Sequence, residues 1–371
     1  MKKLILLTLI AFLLNGCTPS LKERKLTEVF KDDYQFTGVT ISKTGRMFVN
    51  YPRWSDHYEY GVAEIKNGKK IPFPDMKWNA YSGLPIDYFL CVQSVYADKN
   101  DNLWILDTGN PEFKGVVYGG AKLVRIDLRT NKILLKYFFN EPNISKNSYL
   151  NDVRIDEKNN KAYITDSGAG GIIVLDTDSG KQRRLLSKHF STMAEPGYVI
   201  KVNGKDCLNS DGKPFEVQSD GLTLDANNEY LYFHALSGKA LYKVPTKLLN
   251  DENVSDVELE KSVEKVADTG ALDGILSSDS GNIFLTALEE NAIKYLTPKN
   301  EIKTLVKDKN LWWPDTLSIG PDKYLYVTDS MINEMPFFNS GKDERKGPYK
   351  IYKINVSDLC KGTFFDKLNF F

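Results

Sequence analysis

The feature that most constrains the fold is a short motif that recurs six times along the chain. Each copy opens with a polar residue, continues as an alternating apolar run, turns at Asn, Asp or Gly, and closes on an apolar-aromatic-apolar triplet. The opening residues are Thr37, Gln93, Asn151, Asp220, Asp273 and Asp315. The matching aromatic residues are Phe48, Trp104, Tyr163, Tyr232, Phe284 and Tyr326. The near-constant spacing between the two sets indicates one structural unit repeated six times.

Each copy predicts a β-hairpin, because its apolar residues alternate and the polar letters KTG, KNDN, EKNN, ANN, DSG and GPDK interrupt them. The chain between successive copies leaves room for two more strands in each repeat. Four antiparallel strands repeated six times predict an all-β fold, a six-bladed β-propeller. The sequence shows neither sustained helical periodicity nor long helical crossovers, which excludes helical and Rossmann-type folds.

The N-terminal residues are typical of an export signal. Lys2 and Lys3 precede an apolar run over 4–14 that is too short to span a bilayer, and LNGC at 14–17 resembles a bacterial lipobox. We therefore expect a signal peptide over 1–17 with lipidation at Cys17, a linker and closing strand over 18–35, and the propeller over 36–371. The protein would then be exported and held at a membrane by its lipid anchor. Plain secretion after cleavage nearby is the alternative.

The composition excludes several classes of partner and site. Lys and Arg together number 49, as do Asp and Glu, and no basic run occurs, so we expect no nucleic-acid partner. Beyond Cys17, the three cysteines Cys91, Cys207 and Cys360 show no CxxC pair and no disulfide framework. The chain has three histidines and no HExxH motif, so we expect no zinc site.

The repeat places its opening residues around one mouth of the central channel, because the first strand of a blade lies nearest the axis. The polar residues that face this mouth include Gln93, Asn151, Asp220, Asp273 and Asp315. Crowded carboxylates raise one another's pKa values, and a cation with oxygen ligands, such as Ca²⁺, would relieve their repulsion. Alternatively, the aspartates cap turns or accept backbone N–H groups.

Other residues near this mouth are candidates for ligand chemistry. His234 is placed on the same face and could act as a general base beside the aspartates, or be a structural histidine. Trp312 and Trp313 lead into Asp315, and aromatic rings beside carboxylates suit a cationic aromatic ligand. Packing against a neighbouring blade is the alternative for the two tryptophans. The long segment that follows Asp329 predicts a lid or loop across one face.

Three short motifs resemble the calcium-dependent lactonases of the SMP-30/gluconolactonase family. They are NDV, SDGL and LDG in the third, fourth and fifth repeats. The resemblance implies a six-bladed propeller with one divalent metal held by Asn151, Asp220 and Asp273. In a hydrolase of this type, the metal polarises a carbonyl and activates water while Asp220 or Asp273 serves as base. The first repeat departs from that family, because Thr37 stands where a metal-binding Glu is expected.

Longer blocks resemble the yellow/major royal jelly protein family. They are CVQSVYADKNDNLWILDTG, KLVRIDLRTNKILLKYFF, YLNDVRIDEKNNKAYITDSGAGGIIVLDTDSGK, QSDGLTLDANNEYLYFHALSGKALYKVPTKLL and WWPDTLSIGPDKYLYVTDS. The resemblance covers about residues 35–355 and implies an exported propeller. Insect members of this family include proteins that bind aromatic biogenic amines in the channel mouth and others linked to dopachrome conversion. The family therefore implies a small-molecule site at the mouth.

Three hypotheses for the function follow. The first is a site at the mouth that binds or converts a small, aromatic molecule, with Gln93, Asp315, Trp312 and Trp313 as ligand-binding residues. Conversion would here mean isomerisation of an oxidised catechol. The second is a metal-dependent lactonase or other hydrolase, with Asp220, Asp273 and His234 as catalytic residues. The third is a non-enzymatic scaffold of the cell envelope that uses the propeller faces.

Overall fold

The computed structural model describes residues 24–360. These residues form six four-stranded antiparallel sheets and one two-stranded hairpin. The inner strands of successive sheets contact one another in a closed ring, so that the last sheet also meets the first. This architecture confirms the six-bladed β-propeller predicted from the repeat. The predicted signal peptide and the lipidation site Cys17 lie outside the described residues.

The strands are numbered in chain order, beginning with β1 (Thr27–Asp32). Blade 1 contains β2 (Gly38–Ile41), β3 (Met47–Asn50), β4 (Val62–Lys66) and β5 (Lys69–Pro72). Blade 2 contains β6 (Val92–Ala97), β7 (Asn102–Asp107), β8 (Lys122–Asp127) and β9 (Lys132–Phe138). Blade 3 contains β10 (Leu150–Asp156), β11 (Lys161–Asp166), β12 (Ile172–Asp176) and β13 (Gln182–Leu185). The small hairpin consists of β14 (Lys201–Val202) and β15 (Lys205–Asp206).

The second half of the chain continues the same order. Blade 4 contains β16 (Ser219–Leu224), β17 (Tyr230–Ala235), β18 (Ala240–Pro245) and β19 (Glu264–Asp268). Blade 5 contains β20 (Leu272–Ser277), β21 (Ile283–Ala287), β22 (Ala292–Leu296) and β23 (Ile302–Lys307). Blade 6 contains β24 (Pro314–Ile319), β25 (Tyr324–Asp329) and β26 (Tyr349–Asn355), and β1 is its outermost strand.

The described helices are short and lie in the connections. The α-helices are α1 (Met76–Asn79), α2 (Thr246–Asn250) and α3 (Asp256–Lys261). The 3₁₀ turns are Pro85–Asp87, Pro111–Phe113, Phe190–Thr192, Leu288–Glu290, Ile332–Glu334 and Pro336–Phe338. Within residues 24–360, no helix is long and apolar enough to cross a bilayer.

The turns between the first two strands of each blade explain the polar letters in the repeat. Each contains one residue with a left-handed backbone, which Gly, Asn and Asp adopt most readily. These residues are Gly45, Asp101, Asn160, Asn228, Gly281 and Lys323. Lys323 is the one among these six that is not Gly, Asn or Asp, and the sequence gives no signal for it.

The hydrophobic core lies between neighbouring blades, and the repeated aromatic residues are part of it. Trp104 of blade 2 packs with Leu150 and Ile164 of blade 3, and Phe48 of blade 1 packs with Leu103 of blade 2. Because each blade buries its aromatic residue against the next blade, the repeated aromatic position marks a blade interface.

Candidate functional site

The inner strands of blades 2 to 6 each carry a β-bulge at or beside the opening residue. In blade 4, Ser219 pairs with Ala235 and Leu222 pairs with Phe233, so two residues lie opposite His234 alone. Corresponding register shifts occur in β6, β10, β20 and β24, whereas β2 pairs regularly. A bulge redirects side chains, and these five bulges direct the opening residues into the channel mouth.

The glycines that follow the opening aspartates of blades 4 and 5 allow neighbouring inner strands to approach closely. A Cβ atom on Gly221 would lie 2.5 Å from the backbone oxygen of Asp273. One on Gly274 would lie 2.3 Å from the backbone oxygen of Asp315. No other residue fits at these distances without a shift of the backbone. Each Asp-Gly pair therefore combines a carboxyl group of the site with a glycine that contacts the strand carrying the next carboxyl group.

A polar side chain opposite the bulge holds the bulged backbone in place. Thr286 Oγ1 accepts hydrogen bonds from the backbone N–H groups of Asp273 and of the residue after it, both at 3.0 Å. Thr328 Oγ1 accepts one from Thr316 at 2.9 Å. These threonines support the site but were not among the residues predicted for it. They could have been predicted from their constant position on the second strand, opposite the opening residue of the first.

His234 occupies the position in blade 4 that Thr286 occupies in blade 5. It is buried and does not line the mouth cavity. Burial lowers the pKa of its imidazole to about 4, so the ring is neutral at pH 7. The structure therefore places His234 behind the ring of opening residues, and its role as a general base stays a prediction.

Three buried carboxyl groups form the floor of the site: Asp220, Asp273 and Asp315. Asn151 Nδ2 donates to Asp220 Oδ2 over 2.8 Å, and Trp313 Nε1 donates to Asp273 Oδ2 over 2.5 Å. Asp315 Oδ1 accepts from the Thr316 hydroxyl at 3.2 Å. The floor is therefore a set of buried, hydrogen-bonded acids from blades 4, 5 and 6.

The environment raises the pKa of every carboxyl in this floor. Burial raises the pKa of Asp273 to about 7, although the hydrogen bond from Trp313 works against it. For Asp220 and Asp315, burial and then the charge of Asp273 raise the pKa well above the usual range. The charge of Asp152 adds to the repulsion on all three. Such perturbed acids in a cavity are characteristic of functional sites.

Below the floor, Arg154 crosses the channel. Its guanidinium donates to Asp152 Oδ1 at 2.7 Å in blade 3 and to the backbone oxygen of Ile275 in blade 5 at 3.1 Å. The arginine side chain is almost completely buried. On the far side lies a second cavity of about 910 Å³, whose lining includes Arg154 and Cys360.

One wall of the mouth cavity is an aromatic stack from three loops and strand ends. The ring of Phe113 lies between those of Trp54 and Tyr149, with centroids 5.8 and 5.1 Å apart. Trp54 Nε1 donates to the Tyr149 hydroxyl at 2.6 Å, which donates to Gln93 Oε1 at 2.8 Å. The hydrogen bonds fix the stack to the predicted site residue Gln93.

The opposite wall comes from two long connections. Phe215 precedes β16, and Phe337 and Phe338 follow β25, with centroids 5.5 and 4.7 Å from that of Phe215. Phe338 also packs near Trp313, which is fully buried. The segment after Asp329 thus lines the cavity.

Floor and walls enclose a cavity of about 600 Å³, a usual size for a small-molecule site. Five acidic side chains line it against one basic side chain, Arg345. The structure brings together six of the predicted residues, namely Gln93, Asn151, Asp220, Asp273, Trp313 and Asp315. It does not bring Trp312 into the lining: this side chain is partly exposed to solvent.

The residues implied as calcium ligands are adjacent but arranged as a hydrogen-bond network. Asn151 presents its amide nitrogen to Asp220, and one oxygen of Asp273 accepts from Trp313. In blade 1, Thr37 is buried and accepts from Asn50 at 3.1 Å, so this blade contributes no carboxylate. Within the described part of the chain, no three His, Cys, Asp or Glu side chains are grouped to hold a metal ion. Calcium binding stays a prediction.

The fold and site together define a six-bladed propeller with an acidic, aromatic-walled cavity at one channel mouth. A family model described as major royal jelly protein matches residues 90–365. The chain belongs to the major royal jelly protein family. Relatives include major royal jelly protein 5 of Apis mellifera, 26% identical over an alignment of 269 residues that covers 67% of this chain and 42% of that protein. Major royal jelly protein 7 of the same species is 29% identical over an alignment of 196 residues that covers 49% of this chain and 41% of that protein. The chain thus spans less than half the length of these relatives.

Solved structures show the same fold at low sequence identity. A gluconolactonase from Xanthomonas campestris has a TM-score of 0.56 and 9% identity, with 90% of each chain covered. The calcium-binding protein regucalcin from Agrobacterium tumefaciens has a TM-score of 0.52 and 14% identity, with 88% of this chain and 93% of that chain covered. At these identities the likeness establishes the propeller fold alone.

Proposed function

We propose that the mouth cavity binds a small molecule that carries an aromatic ring and a positively charged nitrogen. The observation that carries the proposal is the floor, where Asp220, Asp273 and Asp315 crowd together with no basic side chain beside them. A cation placed on this floor would stabilise the charged form of carboxyls that burial otherwise disfavours. Binding of the cation would therefore also relieve the repulsion among the three carboxyl groups.

The walls support the aromatic part of the proposed ligand. Trp54, Phe113 and Tyr149 present one set of rings, and Phe215 and Phe338 present another. An aromatic ligand would gain about 0.5–1.5 kcal/mol from each ring pair beyond the area it buries, and a cation near a ring face gains a similar amount. A carboxyl such as Asp273, with a pKa of about 7, is also suited to proton transfer if the ligand is converted.

The first experiment is calorimetric titration of tyramine into the soluble chain, residues 18–371. We expect tyramine to bind, and we expect no binding by 4-ethylphenol, which lacks the amine, or by 3-(4-hydroxyphenyl)propionate, which is an anion. Asp273→Asn should weaken tyramine binding about 10- to 100-fold, because a charge-assisted hydrogen bond is worth about 1.5–3 kcal/mol. The control Asp279→Asn, at a partly exposed acid lining the second cavity, should bind like the wild type.

The same titration tests the state of the floor. Because an ammonium ion binds the charged carboxyls, binding at pH 6.5 should release protons, which appears as a dependence of the observed heat on the ionisation enthalpy of the buffer. The affinity should fall as the pH is lowered from 8 to 6. Equal binding of all three phenols, or no proton release, would contradict the proposal.

Calcium chloride in place of tyramine tests the metal-dependent hydrolase. Calcium binding near one equivalent that Asp273→Asn removes would favour the hydrolase hypothesis and direct further work to lactone substrates. The amine-binding proposal expects no calcium binding, because hydrogen bonds from Asn151 and Trp313 already occupy oxygens of the floor.

A further inference from the structure

The N-terminal end of the described chain lies on the face opposite the mouth cavity. Asp329 marks the cavity end of β25, and it pairs with Lys350 near the start of β26. Thr27, at the start of β1, pairs with Lys353 near the other end of β26. The chain before β1 therefore leaves the propeller from the opposite face, which we define as the face that carries the turns between the first and second strands of each blade.

Arg24 fastens this end of the chain to the opposite face. Its guanidinium donates to the backbone oxygen of Asn355 at 2.6 Å and to both carboxylate oxygens of Asp358, at 3.1 and 2.8 Å. Cys17 precedes Arg24 by seven residues. Even a fully extended chain of that length reaches only about 25 Å.

The C-terminal end of the described chain lies on the same face. The backbone oxygen of Leu359 accepts from Asn282 Nδ2 at 3.0 Å, and Cys360 lines the second cavity. The sequence that follows contains two Phe-Phe pairs, at 364–365 and 370–371. Phe side chains are among those that bind the interface of a bilayer. The segment with the predicted lipidation site and the segment with the two Phe-Phe pairs are thus both joined to the propeller at one face.

We infer that a lipid bilayer lies against the opposite face and that the mouth cavity opens away from it. A lipid on Cys17 would hold this face nearest to the bilayer, because the chain that leads to Cys17 leaves the propeller from it. The mouth lies at the other end of strands of six residues, about 20 Å farther from the bilayer. A ligand would therefore reach the cavity from the aqueous phase and not from the lipid.

The experiment uses the full-length lipidated chain in vesicles of phosphatidylethanolamine and phosphatidylglycerol that contain a headgroup nitroxide lipid. A fluorophore is attached to single exposed cysteines in two variants: Lys158→Cys on the opposite face and Tyr118→Cys on the mouth face. The described native cysteines are buried, so labelling is confined to the new site. The nitroxide should quench the fluorophore of the Lys158→Cys variant at least threefold more strongly than that of the Tyr118→Cys variant.

Equal quenching at the two positions, or stronger quenching of the Tyr118→Cys variant, would overturn the inferred orientation. Failure of the full chain to bind the vesicles would overturn it as well. Cys17→Ser removes the lipidation site and should abolish the difference between the two labels; a difference that survives would show that the tether is not its cause. Tyramine titration of both labelled variants verifies that each retains a native mouth cavity.

Discussion

Asp273 is the residue whose chemistry depends most on its surroundings. It accepts a hydrogen bond from Trp313, lies close enough to Asp315 for its charge to raise the pKa of that residue, and has its backbone N–H bound by Thr286. Burial without a neighbouring cation raises its pKa to about 7. Because an unfolded aspartate ionises near pH 4, the folded protein holds a proton at this carboxyl over several pH units in which the unfolded chain does not.

This difference predicts how stability changes with pH. Between about pH 4 and 7 the folded state binds more protons than the unfolded state, so the free energy of unfolding decreases as the pH rises through that window. Asp273→Asn cannot ionise and should flatten the dependence, with a gain on the order of 1–3 kcal/mol at pH 8. Urea unfolding at pH 5, 6, 7 and 8, without amine or metal, measures it.

The matched control is Asp279→Asn, whose carboxyl lies on the opposite face and is about half exposed. It should leave the slope of stability against pH unchanged. Identical slopes for wild type and Asp273→Asn would mean that the Asp273 carboxyl is not protonated in the folded protein.

The positions of residues that open the repeated strands could be predicted from the sequence. The direction of side chains that depends on strand register could not. Gln93, Asp220 and Asp315 were placed correctly because they open equivalent strands. Trp312 and Trp313 are consecutive, so one enters the core and the other stays partly exposed, and the sequence does not say which. The bulge that places His234 behind the floor is likewise invisible in the sequence.

At the scale of the element, the bulge is the unit that builds the site. Gly274 is needed there because its Cα faces the backbone oxygen of Asp315 in the next blade. Gly274→Ala should lower the free energy of unfolding by about 1–3 kcal/mol through overpacking, and should weaken tyramine binding because Asp273 and Asp315 must move apart. Chemical denaturation and calorimetry measure the two effects.

A suitable comparison is Gly238→Ala. An added Cβ atom at that position meets its nearest neighbour, a Glu195 side-chain carbon, at 3.5 Å, which is an ordinary contact. This variant should fold and bind like the wild type. If both alanine variants behave alike, close strand approach at the Asp-Gly pair does not control the site.

The cavity walls could not be predicted in the same way as its floor. Phe113, Phe215 and Phe338 lie in connections that differ from blade to blade, outside the repeated motif. Without a period, no equivalent position in another repeat indicates which way such a side chain points. The lid expectation for the segment after Asp329 came from its length and composition alone, and these do not specify which of its residues line the cavity.

At the scale of the whole molecule, the ring is closed by pairing the first described strand with the last one. β1 contributes Phe30, which is buried with Phe36 and Ile351 between blades 6 and 1. Phe30→Ala should lower the free energy of unfolding by about 3–5 kcal/mol, as for other large core truncations. The exposed neighbour Lys31→Ala should change it by less than about 0.5 kcal/mol.

Urea midpoints of the two variants provide the test. A small effect of Phe30→Ala would mean that the propeller is stable without its closing strand. The six-fold pattern could be predicted from the sequence because blade interfaces repeat the same burial. The exact partner of β1 could not, since pairing between distant parts of a chain leaves no local signal.

The Arg154 side chain bridges blades 3 and 5 beneath the floor, and so it obstructs the direct path along the channel from the mouth cavity to the far face. If the mouth cavity binds a molecule as proposed, that molecule would leave by the mouth through which it entered, and the next would wait for its departure. On that proposal the propeller would serve as a receptacle rather than a conduit.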